Sequence, residues 1–261
     1  MTAPATWALD LDGVMWTGTV PIEGSAEAVT RLLGAGHEVV FVTNNSFATR
    51  AEQEAKLGSF GVDATGRVLS SAMAGAALCE PGERIYVLGG PGVREAVHER
   101  GAIVVAGYES GDAVPDAVLV GLDWDLSYDR LRGAVQAVLA GARFVATNRD
   151  AVYPTEHGFY PGAGALVAAV AAATGIEPVV AGKPEQGLAR LVVERFGSDG
   201  IMVGDRPDTD GLFAGNCGYE FGLVLSGVTA EHDLPVDPTP SRVSADLAGM
   251  VAAALDGGQP G

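Results

Sequence analysis

An α/β fold, in which a parallel-sheet core carries a second α/β domain inserted into it, is what the sequence predicts. Short apolar, β-branched runs each stop at a polar turn, and stretches of helical period lie between them. A long middle segment, roughly residues 75 to 180, has strands and helices of its own but no acidic cluster at its strand ends. At 261 residues and 48% hydrophobic, the chain can bury a sizeable core.

The first apolar run, Trp7 to Leu11, meets Asp12-Gly13 and reads as a buried strand ending in a turn. Ser25 is placed to cap a helix through Ala28, Val29, Leu32 and Leu33, which Gly34 and Gly36 stop before a strand over Glu38 to Val42. Alternation continues with a helix around Arg50 to Phe60 and strands at Arg84–Leu88, Ala117–Val120 and Phe144–Ala146. Near the end, Gly200–Val203 runs into Gly204-Asp205, and Phe221–Leu225 runs into Ser226-Gly227. Ligands of an open parallel sheet sit outside the carboxyl ends of its strands, so the polar residues just after strands are the ones to examine. The Gly- and Pro-rich tail Asp256–Gly261 is expected to fray.

Composition excludes some functions. With 33 acidic against 16 basic residues the net charge is −17, which repels nucleic acid and anionic membrane surfaces. The longest small-apolar run, Ala163–Ala173, is too short to span a bilayer, and the start lacks the features of a signal peptide, so a soluble, cytoplasmic protein is expected. Cys79 and Cys217 stand far apart and outside metal-binding spacings; buried, reduced thiols are expected.

Four strand ends carry chemistry. In Asp10-Leu11-Asp12-Gly13, a period of two puts both carboxylates on one face, which suits a hard cation and acid–base work, although an Asp-capped turn has the same composition. Thr43-Asn44-Asn45 offers a hydroxyl and two amides to anionic oxygens. Gly182-Lys183-Pro184 offers one positive charge, with Pro184 placed to start a helix. Gly204-Asp205-Arg206-Pro207-Asp208-Thr209-Asp210 crowds like charge that a helix cap cannot fully explain and that calls for a cation; Arg206 could also neutralise it.

Taken together and in this order, DLDGV, VTNN, GKP and GDRPDTD resemble the four motifs of the haloacid dehalogenase-like superfamily. The resemblance implies a Rossmann-like core and phosphatase chemistry with Mg2+. Asp10 would attack phosphorus, and Asp12 would protonate the leaving oxygen and then activate water. Thr43, Asn44 and Lys183 would hold the phosphate. Asp10, Asp205 and the backbone carbonyl of Asp12 would bind the metal, with Asp208 or Asp210 as a further ligand or as a support behind the ligands. Asp12 to Thr43 leaves no room for a domain, whereas Thr43 to Lys183 does, which resembles the p-nitrophenyl phosphatase-like (NagD-like) group with its cap between the second and third motifs. Its members act on glycerol phosphate, phosphoglycolate, pyridoxal phosphate or nucleotides. Gly121-Leu122-Asp123, the segment Ala146–Asp150, Pro161–Gly164 and Leu225–Thr229 extend the likeness over nearly the whole chain.

On that likeness the core is 1–75 with 180–261, and the cap is 76–179. Asn148, Arg149, Tyr153 and His157 are candidate contacts to the leaving group, although ordering of a turn would explain Asn148 and Arg149, and packing would explain Tyr153. The expected partner is a small phosphorylated metabolite. A homodimer is a further expectation, since cap-mediated homodimers occur among relatives. A phosphotransferase or mutase using the same intermediate, and a catalytically silent binding protein, are the competing readings; the presence of Asp10, Asp12, Lys183 and Asp205 weighs against the second.

Overall fold

The computed structural model describes residues 5–155 and 158–257. From its start the chain forms β1 (Thr6–Leu9), β2 (Trp16–Thr17), β3 (Val20–Pro21), α1 (Ser25–Gly34), β4 (Glu38–Thr43), α2 (Arg50–Ser59) and β5 (Val68–Ser70). The middle contributes α3 (Ser71–Ala77), β6 (Arg84–Leu88), α4 (Pro91–Glu99), β7 (Ile103–Val105), β8 (Ala117–Val120), α5 (Tyr128–Leu139) and β9 (Arg143–Ala146). It continues through β10 (Val152–Thr155), β11 (Gly158–Pro161), α6 (Ala163–Thr174), β12 (Val179–Val180) and α7 (Gln186–Phe196). The last part is β13 (Gly200–Gly204), α8 (Leu212–Cys217), β14 (Glu220–Val224), β15 (Arg242–Ser244) and α9 (Leu247–Asp256).

These elements fall into two compact units. One comprises the residues up to Thr43, Gln53–Leu69 and Ala189 onward; the other comprises Asn44–Glu52 and Ser70–Leu188.

The first unit is built on a sheet of order β15-β14-β13-β1-β4-β5. β1 pairs in parallel with β4 and β13, and β14 with β13 and β15. The period of two sends Trp7, Leu9, Val39, Phe41, Ile201 and Val203 to one face, where Ala28, Val29 and Leu32 of α1 and Leu247, Met250 and Val251 of α9 cover them. The alternate residues Ala8, Val40 and Met202 are also buried. Burial on both faces explains why these strands read as unbroken apolar runs.

A second parallel sheet, β12-β9-β8-β6-β7, organises the other unit. Its two faces separate by parity. Tyr86, Leu88, Val118, Val120 and Phe144 pack against Ala134 and Val138 of α5 and Val167 and Val170 of α6. Ile85, Val87, Leu119 and Val145 pack against Ala72 and Ala76 of α3 and Val93 and Val97 of α4. Each fully buried aliphatic or aromatic side chain contributes about 1.5–3 kcal/mol. Segment Asn44–Glu52 belongs to this unit through definite contacts. Phe47 stacks on Trp124 with ring centroids 4.5 Å apart, and the Ser46 hydroxyl accepts from the Leu122 N–H at 3.0 Å.

Several local expectations change. The first strand stops at Leu9, not Leu11, because the chain folds back and the Met15 N–H donates to the Leu11 carbonyl at 2.8 Å. Ser25 is inside α1 and donates to the Val14 carbonyl at 2.8 Å; Gly24 holds the cap position. Pro184 does not open α7, since the Glu185 N–H closes a turn onto Gly182 at 2.8 Å before the helix begins at Gln186. Asp256, expected in a frayed tail, ends α9 and pairs with Arg31 at 2.8 Å. Both cysteines are buried, as expected, and burial pushes the Cys79 thiol to about 11 and the Cys217 thiol to about 12. Among the described residues, no helix is long and apolar enough to cross a membrane.

Candidate active site

In the first unit, the parallel register sets Leu9 beside both Phe41 and Val203, so Asp10, Thr43 and Asp205 leave the sheet at the same edge. The Asp10 N–H extends the ladder to the Val203 carbonyl at 2.9 Å. One carboxylate oxygen each from Asp10, Asp205 and Asp210 lie within 4.8 Å of one another. Asp205 and Asp210 are buried, at 3% and 0% exposure. Carboxylates taken out of water and crowded together repel, and a hard divalent cation among them offsets that cost; all-oxygen donors are the set that Mg2+ prefers.

The neighbouring backbone holds Asp205 from several sides. The Val228 N–H donates to Asp205 Oδ2 at 2.6 Å, and the Ser226 hydroxyl ties the same loop to the Gly13 carbonyl at 2.7 Å. Gly13, at φ +81°, and Gly227 lie so close that a Cβ on either would collide with the Asp205 carboxylate. Asp210 sits on a single wide helical turn, Pro207–Gly211, and its Oδ2 accepts from the Arg206 N–H at 3.1 Å. Asp208, by contrast, faces solvent and pairs with Arg206 at 3.0 Å. Of the two residues expected behind the ligands, Asp210 joins the cluster and Asp208 does not.

Asp12 stands apart from this cluster. Its Oδ1 accepts from the Trp16 indole N–H at 2.9 Å. It lies beyond the end of β1, so the turn, not strand alternation, sets its direction.

Thr43 ends β4 and is buried. In the second unit, Lys183 is buried at 2% exposure and its backbone is fixed by Asn44: the Lys183 N–H donates to Asn44 Oδ1 at 2.8 Å, and Asn44 Nδ2 donates to the Lys183 carbonyl at 3.0 Å. Asn44 Nδ2 also donates to Asp150 Oδ2 at 3.0 Å. Both hydrogens of the Asn44 side-chain amide are thereby engaged within the protein, one by the Lys183 carbonyl and one by Asp150, so this side chain places the lysine loop. Asn148 is likewise engaged, donating to the Asn44 carbonyl at 2.7 Å and accepting from the Asp150 N–H at 3.0 Å. Arg149 pairs with Glu177 at 3.0 Å on the surface. Tyr153 meets Trp124 edge-on at 6.3 Å. His157 lies outside the described residues. Sequence reading assigned no role to Asp150 or Trp16; the Asp150 in Asn148-Arg149-Asp150 was visible only as part of a likeness, and two-residue strands such as β2 leave no periodic signal.

Three acids at the carboxyl edge of a doubly covered parallel sheet make a candidate site for a hard divalent cation, the class of site that metal-assisted phosphate chemistry uses. The profile of the family described as haloacid dehalogenase-like hydrolase matches residues 7–103, and a second, HAD-hydrolase-like, matches residues 180–250. Phosphoglycolate phosphatase 2 of Arabidopsis thaliana is 37% identical over 256 residues, covering 88% of this chain and 85% of that protein. Among solved structures, a p-nitrophenyl phosphatase from Archaeoglobus fulgidus superimposes with a TM-score of 0.88 at 30% identity, covering 96% of this chain and 99% of that one. A glycerol phosphate phosphatase from Mycobacterium tuberculosis in complex with magnesium gives 0.86 at 35% identity, covering 95% and 76%. The chain belongs to the haloacid dehalogenase-like hydrolase family.

Proposed function

We propose that this chain is a magnesium-dependent phosphoric monoester hydrolase that acts on a small phosphorylated metabolite through an aspartyl-phosphate, with Asp10 as nucleophile. The observation that carries the reading is the cluster of half-buried Asp10 with buried Asp205 and Asp210, whose oxygens fit Mg2+ and which includes the residue assigned the attack. Two of the relatives, named for phosphoglycolate and glycerol phosphate, set the size of substrate to try. When bound, the metal supplies positive charge against the phosphate oxygens.

The chain's own residues account for the bonds. An Asp10 carboxylate oxygen attacks phosphorus as the ester P–O bond breaks, and Asp12 gives its proton to the leaving oxygen. Water then attacks the same phosphorus, Asp12 takes its proton, the acyl-phosphate P–O bond breaks, and Asp10 and inorganic phosphate are regenerated. By the likeness to the family, Thr43 and Lys183 are assigned to the phosphate, and Asn44 places the Lys183 loop. Tyr153 and its neighbour Trp124 are the residues to vary in testing the choice of leaving group.

Phosphate release from a panel of small monoesters, with magnesium or with EDTA, tests this. Turnover should require magnesium and vanish in Asp10→Asn, and acid-quenched native enzyme should carry label from a 32P-ester that the variant does not. A folded, magnesium-binding native chain that releases no phosphate from any monoester overturns it.

A further inference from the structure

Trp16 is buried at 4% exposure, and its indole is aimed at Asp12. Its indole Nε1–H donates to Asp12 Oδ1 at 2.9 Å. Its backbone closes the turn, with the Gly13 N–H donating to the Trp16 carbonyl at 2.7 Å. Phe60 packs on the ring at 5.9 Å between centroids, and the Lys56 ammonium sits 3.8 Å from the ring centroid. Lys56 also donates to the Gly18 carbonyl at 3.0 Å, in the turn that joins β2 to β3. A cation over an indole face is attracted by the negative face of the ring, more strongly when the pair is dry. Burial lowers the Lys56 pKa, while the negative charge of Asp12 acts against that, so carboxylate and ammonium feel one another.

Resting on the reading of Asp12 as acid and base, we propose that Trp16 is the positioning residue for that carboxyl group, and that Lys56 and Phe60 hold Trp16 in place. An N–H donor needs an acceptor lone pair, and the carbonyl-type oxygen of a protonated carboxyl is the better acceptor. Oδ1 therefore keeps the indole, and the transferable proton resides on Oδ2, which passes it to the leaving oxygen as the P–O bond breaks. Without the indole N–H the hold on Oδ1 is lost, and the proton is delivered less often to the right place.

The readout is the ratio of kcat/KM for p-nitrophenyl phosphate to kcat/KM for the best alkyl monoester of the panel. A nitrophenolate leaves with little need of a proton, whereas an alkoxide needs one. Trp16→Phe is expected to raise the ratio at least tenfold, in the direction of Asp12→Asn. Because the smaller ring can also loosen the fold, a benzothienylalanine placed at position 16 alone, with sulfur in place of N–H, should reproduce the rise with an unchanged thermal melt. Lys56→Met should raise it less. A ratio within twofold of native in both position-16 variants, while Asp12→Asn shifts it, overturns the positioning role and leaves the acid–base reading standing. If Asp12→Asn itself leaves the ratio unmoved, the acid–base reading falls, and this role with it.

Discussion

Adding one methyl group at Gly13 separates backbone strain from damage to the metal cluster. Gly13 has φ +81° and faces the Asp205 carboxylate; Gly36 has φ +84° and nothing within 4 Å of its would-be Cβ. Alanine at either position costs about 1–2 kcal/mol for the left-handed backbone, which in a chain of this size lowers Tm by roughly 2–4 °C per kcal/mol. Only Gly13→Ala must also push Asp205 away from Asp10 and Asp210. A misplacement of about 1 Å at a reacting centre costs on the order of 100-fold in rate. Gly36→Ala should therefore show the melt shift of the backbone strain alone, while Gly13→Ala melts lower still, its phosphate release falls by about 100-fold and its half-saturating magnesium rises. Native turnover and magnesium dependence in a folded Gly13→Ala would refute the cradle around Asp205.

Three further outcomes can be checked alongside it. Asp210→Asn should raise the magnesium needed for half-maximal activity by tenfold or more, whereas Asp208→Asn, which removes only an exposed pair with Arg206, should change it by less than twofold in the same titration. Asn44→Ala strips the Lys183 loop of its paired bonds at about 1–3 kcal/mol, so KM for the phosphate ester should rise by tens of fold in steady-state kinetics. The thiols set an alkaline limit. Unfolded thiols lose protons near 9.0 and the folded ones only near 11 or 12, so the folded state holds more protons between those values. Stability is then full below about pH 9 and falls as pH rises toward 11, and urea melts of Cys79→Ala should show a shallower fall.

Where a strand was long and buried on both faces, its residues alone sufficed to find it: Arg84–Leu88 and Ala117–Val120 have the bounds expected from their composition. The acids at strand ends were legible for the same reason, since a polar turn after a buried run is a local signal. What escaped is non-local. That Asp210 and not Asp208 turns toward Asp10 depends on the phase of one wide helical turn. Asn44 looked like a ligand to anions because its partners, Lys183 and Asp150, are more than 100 residues away. Trp16 and Lys56, forty positions apart, meet only through a hairpin of two-residue strands.

The path of the chain through its two units bears on how such proteins are taken apart and recombined. The backbone passes from one unit to the other after Thr43, Glu52, Leu69 and Leu188. A fragment cut as one contiguous piece, such as 70–188, therefore leaves behind the stretch that stacks Phe47 on Trp124 and ties Ser46 to Leu122. It would begin life with an uncovered indole and an unfilled seam. Grafting this unit onto another scaffold means moving two segments and four junctions together, and the nine-residue Asn44–Glu52 strip is the piece that a single-insertion view of its history would omit.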